Sequence, residues 1–211
     1  MPDRTPADDR ITTSPLSRRT LAKGSLWAVP TIAVATAAPA MATSKASIYR
    51  SFQVSNGRGS CASGTNQLTI TTNDTSTYYW IKDATGSTIT NVQASLLIQK
   101  SVVDALGTTF ALTSQNASWS NPTREVSGGT PVVYTNGGVQ YYRYVSNLTA
   151  AVPAPISTGT DAGTVKLPLI NWTSTCHRTF ASNVGTTWVN GRGTATIDGV
   201  QQVQIGAYRQ V

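Results

Sequence analysis

Charged residues, histidine and methionine are scarce in this chain, and their scarcity argues against several kinds of metal and catalytic site. Only 12% of the 211 residues are Asp, Glu, Lys or Arg, one is histidine and two are methionine. Structural zinc sites need clustered Cys or His ligands, calcium loops need dense carboxylates, and a blue-copper centre needs more than one histidine. No glycine-rich phosphate loop or dinucleotide fingerprint occurs either. The sequence therefore predicts no metal site and no cofactor.

The sequence is equally short of catalytic motifs. His177 is the only histidine and directly follows Cys176. Neighbours in a strand point to opposite faces, so this pair would not act together as base and nucleophile. No Gly-x-Ser-x-Gly elbow is present, and the few scattered acids disfavour a glycosidase pair. We expect no catalytic residues and interpret His177 as a surface or structural residue, while a small secreted hydrolase with an unrecognised site is one alternative.

The first 42 residues differ in character from the rest. The first 23 carry five positive and three negative charges, and the next fifteen carry none. That uncharged run is shorter than the about 20 apolar residues of a membrane-spanning helix, and Pro30 interrupts it. Small residues at Ala40 and Ala42 suit signal peptidase, so cleavage is predicted between Ala42 and Thr43. The alternative is a disordered N-terminus in which Ala-x-Ala occurs by chance.

Residues 17–23, SRRTLAK, resemble a twin-arginine (Tat) translocation signal, whose pattern is Ser/Thr-Arg-Arg-x-apolar-x-Lys. The residues on that pattern are Ser17, Arg18, Arg19, Leu21 and Lys23. The whole leader is similar to those of secreted actinobacterial proteins. The resemblance implies that the Tat translocase exports a folded passenger and that signal peptidase releases it. It implies a secreted or loosely wall-associated protein with no permanent membrane anchor, and it carries no information about activity.

Residues 43–211 are predicted to be one secreted domain. Their eleven basic and six acidic residues give a net charge of +5. Because the basic residues are scattered singly, nucleic-acid binding is disfavoured, and weak attraction to a cell-wall polymer or polysaccharide is the more natural consequence. Cys61 and Cys176 lie 115 positions apart, and an even pair in an oxidising space predicts a disulfide. Two free thiols or a metal site are the alternatives.

The composition and turn spacing of this domain predict an all-β fold, an antiparallel sandwich of immunoglobulin-like or jelly-roll-like type. Thr, Ser, Asn, Gly, Val and Tyr abound, and turn signals recur at intervals of about 8–12 residues. The segment 94–106 fits either a strand or a short helix, and 176–180 is predicted to be a strand. Asn-Gly-Arg-Gly occurs at 56–59 and 190–193, and both copies are predicted to be tight turns with the arginine in water.

Aromatic residues are the best lead to a binding surface. Tyr78 and Trp80 are predicted to share one face of a strand, as are Tyr142 and Tyr144. Exposed rings of this kind would form a platform for sugars, whereas buried rings would fill the core of the sandwich. We therefore expect an exported non-enzymatic protein with a binding or structural role at the cell envelope. A carbohydrate-binding module is the first alternative, and the small hydrolase is the second.

Overall fold

The computed structural model describes residues 45–211, whose antiparallel sheets pack against one another and confirm the predicted all-β sandwich. In chain order the strands are β1 (Ser47–Arg50), β2 (Gln53–Gly57), β3 (Gln67–Thr71), β4 (Tyr79–Lys82), β5 (Ile89–Gln99), β6 (Leu112–Ser114), β7 (Thr123–Arg124), β8 (Val126–Ser127), β9 (Thr130–Pro131), β10 (Val133–Asn136), β11 (Val139–Asn147), β12 (Val165–Lys166), β13 (Asn171–Ser174), β14 (Trp188–Ile197), β15 (Val200–Ile205) and β16 (Arg209–Gln210). Two short helices, α1 (Lys100–Leu106) and α2 (Arg178–Ser182), accompany them, and a 3-10 turn (Gly107–Thr109) follows α1.

Residues 45–211 contain four sheets, of which three build the sandwich and the fourth is the short β8–β9 pair. The large sheet has the order β10-β11-β5-β14-β15, with β7 added to β11 and β16 added to β14. A four-stranded sheet has the order β2-β3-β13-β6, and a three-stranded sheet has the order β1-β4-β12. All three bury apolar side chains in one hydrophobic core, which includes Leu96 of the large sheet, Trp172 of the four-stranded sheet and Ile81 of the three-stranded sheet. This part of the chain is a compact unit with its own core, so we expect it to fold without residues 1–43.

The segment 94–106, for which the sequence left strand and helix open, contains one of each. β5 occupies the centre of the large sheet, and α1 begins directly after it. The residues from Ala94 to Ile98 are buried without interruption because a central strand is covered on both faces. Because every residue of this run is buried, its sequence lacks the alternation of apolar and polar residues that would distinguish a strand from a buried helix. The helix buries Val102, Val103 and Leu106 against the core.

The prediction of a turn at 190–193 was wrong, because β14 runs through this segment without a break. A Cβ atom at Gly191 would lie 2.8 Å from a ring carbon of Phe52, and one at Gly193 would lie 2.9 Å from a ring carbon of Tyr79. Tyr79 belongs to β4 of the three-stranded sheet, and Phe52 lies in the connection between β1 and β2. The two glycines therefore allow close approach of the layers and do not reverse the chain.

The two copies of Asn-Gly-Arg-Gly, at 56–59 and 190–193, lie in different surroundings, and the arginine of the second copy does not point to open water. Asn56 and Gly57 end β2, and the chain turns only after them. Arg192, predicted to point to water, is half-buried and donates to Asn190 Oδ1 at 2.9 Å and to the Tyr208 hydroxyl at 3.0 Å. Similar short sequences thus occupy dissimilar places in the fold.

The segment 176–180 is not a strand, and the prediction for it was wrong. Cys176 forms a disulfide with Cys61, with Cα atoms 5.6 Å apart, which confirms the predicted cross-link. His177 pairs with the backbone of Asn66, and its Nδ1 accepts the N–H of Thr179 at 3.2 Å, in the first turn of α2. The imidazole thus takes the place of the usual Ser, Thr or Asp helix cap, which gives His177 a structural role.

Candidate ligand-binding site

The outer face of the three-stranded sheet carries the most distinctive group of side chains. On its inner face, Ile81 and Val165 are fully buried in the core. Tyr49 of β1 lies opposite Trp80 of β4, and Lys166 of β12 lies opposite Trp80 on the other side. Because side chains alternate along strands, these three project together on the side away from the core. The sheet thus places the side chains of Tyr49, Trp80 and Lys166 next to one another on three neighbouring strands.

Tyr78 joins the two rings, and the three together form what we call the aromatic stack. The ring centroids of Tyr49 and Tyr78 are 5.3 Å apart, with 18° between the planes. Those of Tyr78 and Trp80 are 4.2 Å apart, with 19° between the planes. Tyr78 is therefore the middle ring. A hydrogen bond with Tyr49 raises the pKa of Tyr78, so its hydroxyl stays neutral under physiological conditions.

A lysine lies over each end ring of the aromatic stack. The Lys82 Nζ atom is 4.0 Å from the centroid of Tyr49, and the Lys166 Nζ atom is 4.5 Å from the centroid of Trp80. Such cation–π contacts contribute about 0.5–1 kcal/mol at exposed sites. Lys166 also forms an ion pair with Asp161 at 2.8 Å. The aromatic stack thus has an ammonium group at each end, and one of the two is paired with a carboxylate.

The aromatic stack differs from a flat sugar-binding platform. A flat platform offers open ring faces, whereas here the faces are covered by neighbouring rings and by lysines. Tyr49 is 47% exposed, and Tyr78 and Trp80 are half-buried, so the solvent meets mainly ring edges. The edge is the positive part of an aromatic quadrupole. Together with two ammonium groups, these edges favour an anionic ligand group over a neutral sugar face.

Tyr142 and Tyr144, the other two residues of the predicted platform, do not join this surface. They share the inner face of β11 but are only 7% and 5% exposed. The ring of Tyr142 lies beneath Lys100 and Arg124, whose charged groups are 5.3 and 5.1 Å from its centroid. Tyr144 packs edge-on against Phe110 with the centroids 5.2 Å apart. The structure therefore divides the four predicted residues between two places.

Comparisons with protein-family models, with curated proteins and with solved structures found no match. The site must therefore be interpreted from its own geometry. Within residues 45–211, no group of three His, Cys, Asp or Glu side chains is arranged to hold a metal ion. No helix in that range has the length and apolar character needed to cross a bilayer.

Some predicted positions lie outside the described residues. They are the export-motif residues Ser17, Arg18, Arg19, Leu21 and Lys23 and the cleavage-site residues Ala40, Ala42 and Thr43. Within the described residues, sequence reasoning missed Tyr49, Lys82 and Lys166. Lys82 continues the period-two pattern of Tyr78 and Trp80, which was a usable signal. The sequence offered no comparable signal for Tyr49 and Lys166, because only the sheet register brings them to β4.

Proposed function

We propose that the chain is an exported, non-enzymatic binding protein of the cell envelope, and that the outer face of the three-stranded sheet binds an anionic envelope polymer. The observation that carries this proposal is the aromatic stack with a lysine over each end ring. The ring edges and the ammonium groups form one positive surface. An acidic polysaccharide presents carboxylate or phosphate oxygens to such a surface at regular intervals.

The burial of the neighbouring side chains supports the proposal. The inner residues of the three-stranded sheet already fill the core, so the partly exposed rings of the outer face are not needed for packing. An excess of positive charge over the domain adds long-range attraction to an anionic polymer. The disulfide is the form expected in an oxidising compartment, which agrees with export.

The position of the single histidine favours a binding role over hydrolysis. A serine-type hydrolase would need His177 beside an acid and a nucleophilic hydroxyl. Its Nδ1 atom instead accepts the backbone N–H of Thr179 and caps α2. Among the described residues, the side chain of Glu125 is held by Tyr134 and Arg143 rather than by a second carboxylate.

The test is co-sedimentation of residues 43–211 with isolated cell walls, before and after chemical removal of their anionic polymers. The Lys82→Gln/Lys166→Gln variant removes both charges and leaves the rings in place. We expect it to weaken binding about 2- to 30-fold, because an exposed ion pair contributes about 0.2–1 kcal/mol and the variant removes two of them. The matched control, Arg178→Gln/Arg209→Gln, also removes two exposed positive charges and should bind like the wild type if it is this surface that binds.

Three results would contradict the proposal. Equal retention of the lysine variant and the wild type would mean that the outer face does not bind the wall. Equal retention by stripped walls would mean that the anionic polymers are not the ligand. Tight binding to cellulose or chitin that is lost on Trp80→Ala would favour the alternative, a module for neutral carbohydrates.

A further inference from the structure

A second surface, made by different strands, lies beside α1. It is a groove of about 560 Å³, within the range of small-molecule sites. Its apolar wall comes from Val103, Phe110 and Pro122. Arg124 and Tyr144 also line it. The groove thus combines an apolar wall with one cation and one phenol.

The Tyr144 hydroxyl is the first polar group available to a ligand there. The residue is only 5% exposed, and its hydroxyl makes no hydrogen bond to any other residue between 45 and 211. The edge-on contact with Phe110 fixes the ring. Burial raises the pKa of Tyr144 to about 12, so the hydroxyl remains a neutral donor at physiological pH. Among the described residues, the buried side-chain N and O atoms without a hydrogen-bond partner are Thr77 Oγ1, Arg143 Nε and Trp172 Nε1, so the Tyr144 hydroxyl oxygen reaches the water of the groove. A ligand acceptor can therefore take the place of that water.

Arg124 is the second available group, and the strand register places it next to Tyr144. β7 pairs with β11 so that Arg124 and Tyr144 are directly opposite each other. Directly opposed residues project on the same face of a sheet. The guanidinium is exposed and rests against the ring of Tyr142. No carboxylate of the described part of the chain lies within ion-pair distance of it.

The charged side chains around the groove limit the charge of the ligand. Asp104 lies at the rim, and its carboxylate forms an ion pair with Lys100. The hydrogen bond from Lys100 lowers the pKa of Asp104, so the group is ionised at neutral pH. Because the two charges of this pair cancel, Arg124 supplies the net positive charge of the groove. One guanidinium balances a monoanion and leaves the second charge of a dianion unpaired, which favours a carboxylate over a phosphate ester.

We propose that this groove binds a small monocarboxylate with an apolar body. The guanidinium of Arg124 pairs with the carboxylate, the Tyr144 hydroxyl donates to one of its oxygens, and the apolar body lies against Phe110 and Pro122. The groove shares no residue with the aromatic stack. The proposal is therefore independent of polymer binding, and either one can fail without the other.

The test is an NMR titration of ¹⁵N-labelled residues 43–211 with 3-phenylpropionate. We expect saturable shifts of the amides of Phe110, Arg124 and Tyr144. Tyr144→Phe keeps the buried ring and should weaken binding about tenfold or more, the effect of losing one hydrogen bond to a charged group. Arg124→Gln changes an exposed side chain, so the fold is retained, and should weaken binding at least tenfold. Arg178→Gln, an exposed arginine outside the groove, is the matched control and should bind like the wild type.

Two further probes test the chemistry of the ligand. 3-Phenylpropionamide has the same body without the charge, and phenyl phosphate has an aromatic body with a dianionic head. Both should bind more weakly than 3-phenylpropionate. Binding that is unchanged in Arg124→Gln and Tyr144→Phe, or the absence of saturable shifts at the groove, would overturn the site. Tighter binding of phenyl phosphate would overturn the assignment to carboxylates.

Discussion

Replacing Gly193 by alanine should destabilise the sandwich strongly, although alanine is usually harmless in a strand. Gly193 does not need a positive φ, so the backbone itself would accept the new residue. The added Cβ would lie 2.9 Å from Cζ and 3.1 Å from the hydroxyl oxygen of Tyr79, which is 2% exposed. The Tyr79 hydroxyl donates to the carbonyl oxygens of Thr194, at 2.8 Å, and Gln93, at 3.1 Å. Moving the ring away would weaken both contacts.

The expected cost follows from these contacts. Overpacking a core costs about 1–3 kcal/mol, and a weakened hydrogen bond adds about 0.5–1.5 kcal/mol. The lower chain entropy of alanine in the unfolded state offsets about 0.4–1 kcal/mol. We therefore expect a net loss of about 0.5–4 kcal/mol, with a midpoint of about 2 kcal/mol, out of the about 5–15 kcal/mol that stabilises a typical domain. At that midpoint the melting temperature should fall by about 4–8 °C.

The assay is urea and thermal unfolding of residues 43–211 with the disulfide intact. Gly57→Ala is the matched control, because Gly57 also lies in a strand without a positive φ, and its added Cβ would meet nothing within 4 Å. The control should be neutral or slightly more stable than the wild type. The reasoning is refuted if Gly193→Ala is as stable as the wild type, or if Gly57→Ala loses as much stability.

Three further predictions concern the whole domain. Cys61→Ser/Cys176→Ser should lower the free energy of unfolding by about 2–5 kcal/mol in urea titrations, and no loss would mean that the cross-link does not constrain the unfolded chain. Burial raises the pKa of both Tyr144 and Tyr79, so the stability due to their neutral hydroxyls is complete below about pH 10 and falls as the pH rises further. Denaturation between pH 9 and 11 should show this fall, and the slope should be smaller in Tyr144→Phe. β15 is an uncharged strand at the edge of the large sheet, and Val203 on it is exposed, so this edge is open to pairing with another molecule. Val203→Lys should reduce aggregation on heating, measured by light scattering, and should change the free energy of unfolding by less than about 0.5 kcal/mol. Unchanged scattering would exclude β15 as the edge that aggregates.

The sequence predicted those features that depend on local pattern or on pairing chemistry. Alternation set Tyr78 and Trp80 on one face, and the structure shows them stacked. An even pair of cysteines, together with the predicted export, predicted the disulfide that the structure contains. Period-two alternation and redox chemistry need no knowledge of distant neighbours, so the sequence alone was sufficient for these features.

The features that the sequence missed depend on distant contacts. The sequence at 190–193 is typical of a turn, but Gly191 and Gly193 instead make room for the rings of Phe52 and Tyr79. These two aromatic residues lie more than a hundred positions earlier in the chain. Tyr49 reaches the aromatic stack only because β1 pairs with β4 and not with the next strand along the chain. No local pattern specifies which strands become neighbours, so a single sequence could not predict the full candidate site.

The disulfide also determines what happens to the chain after a cut by a protease. Residues 149–163 form a long connection with little regular structure, much of it exposed, and lie between the two cysteines in sequence. A single cleavage there opens a closed loop and releases no fragment, because the sulfur bridge still joins the two pieces. A clipped molecule would therefore run at full mass without reductant and as two bands with it. The covalent bridge therefore makes the described part of the chain tolerant of a single nick in this connection.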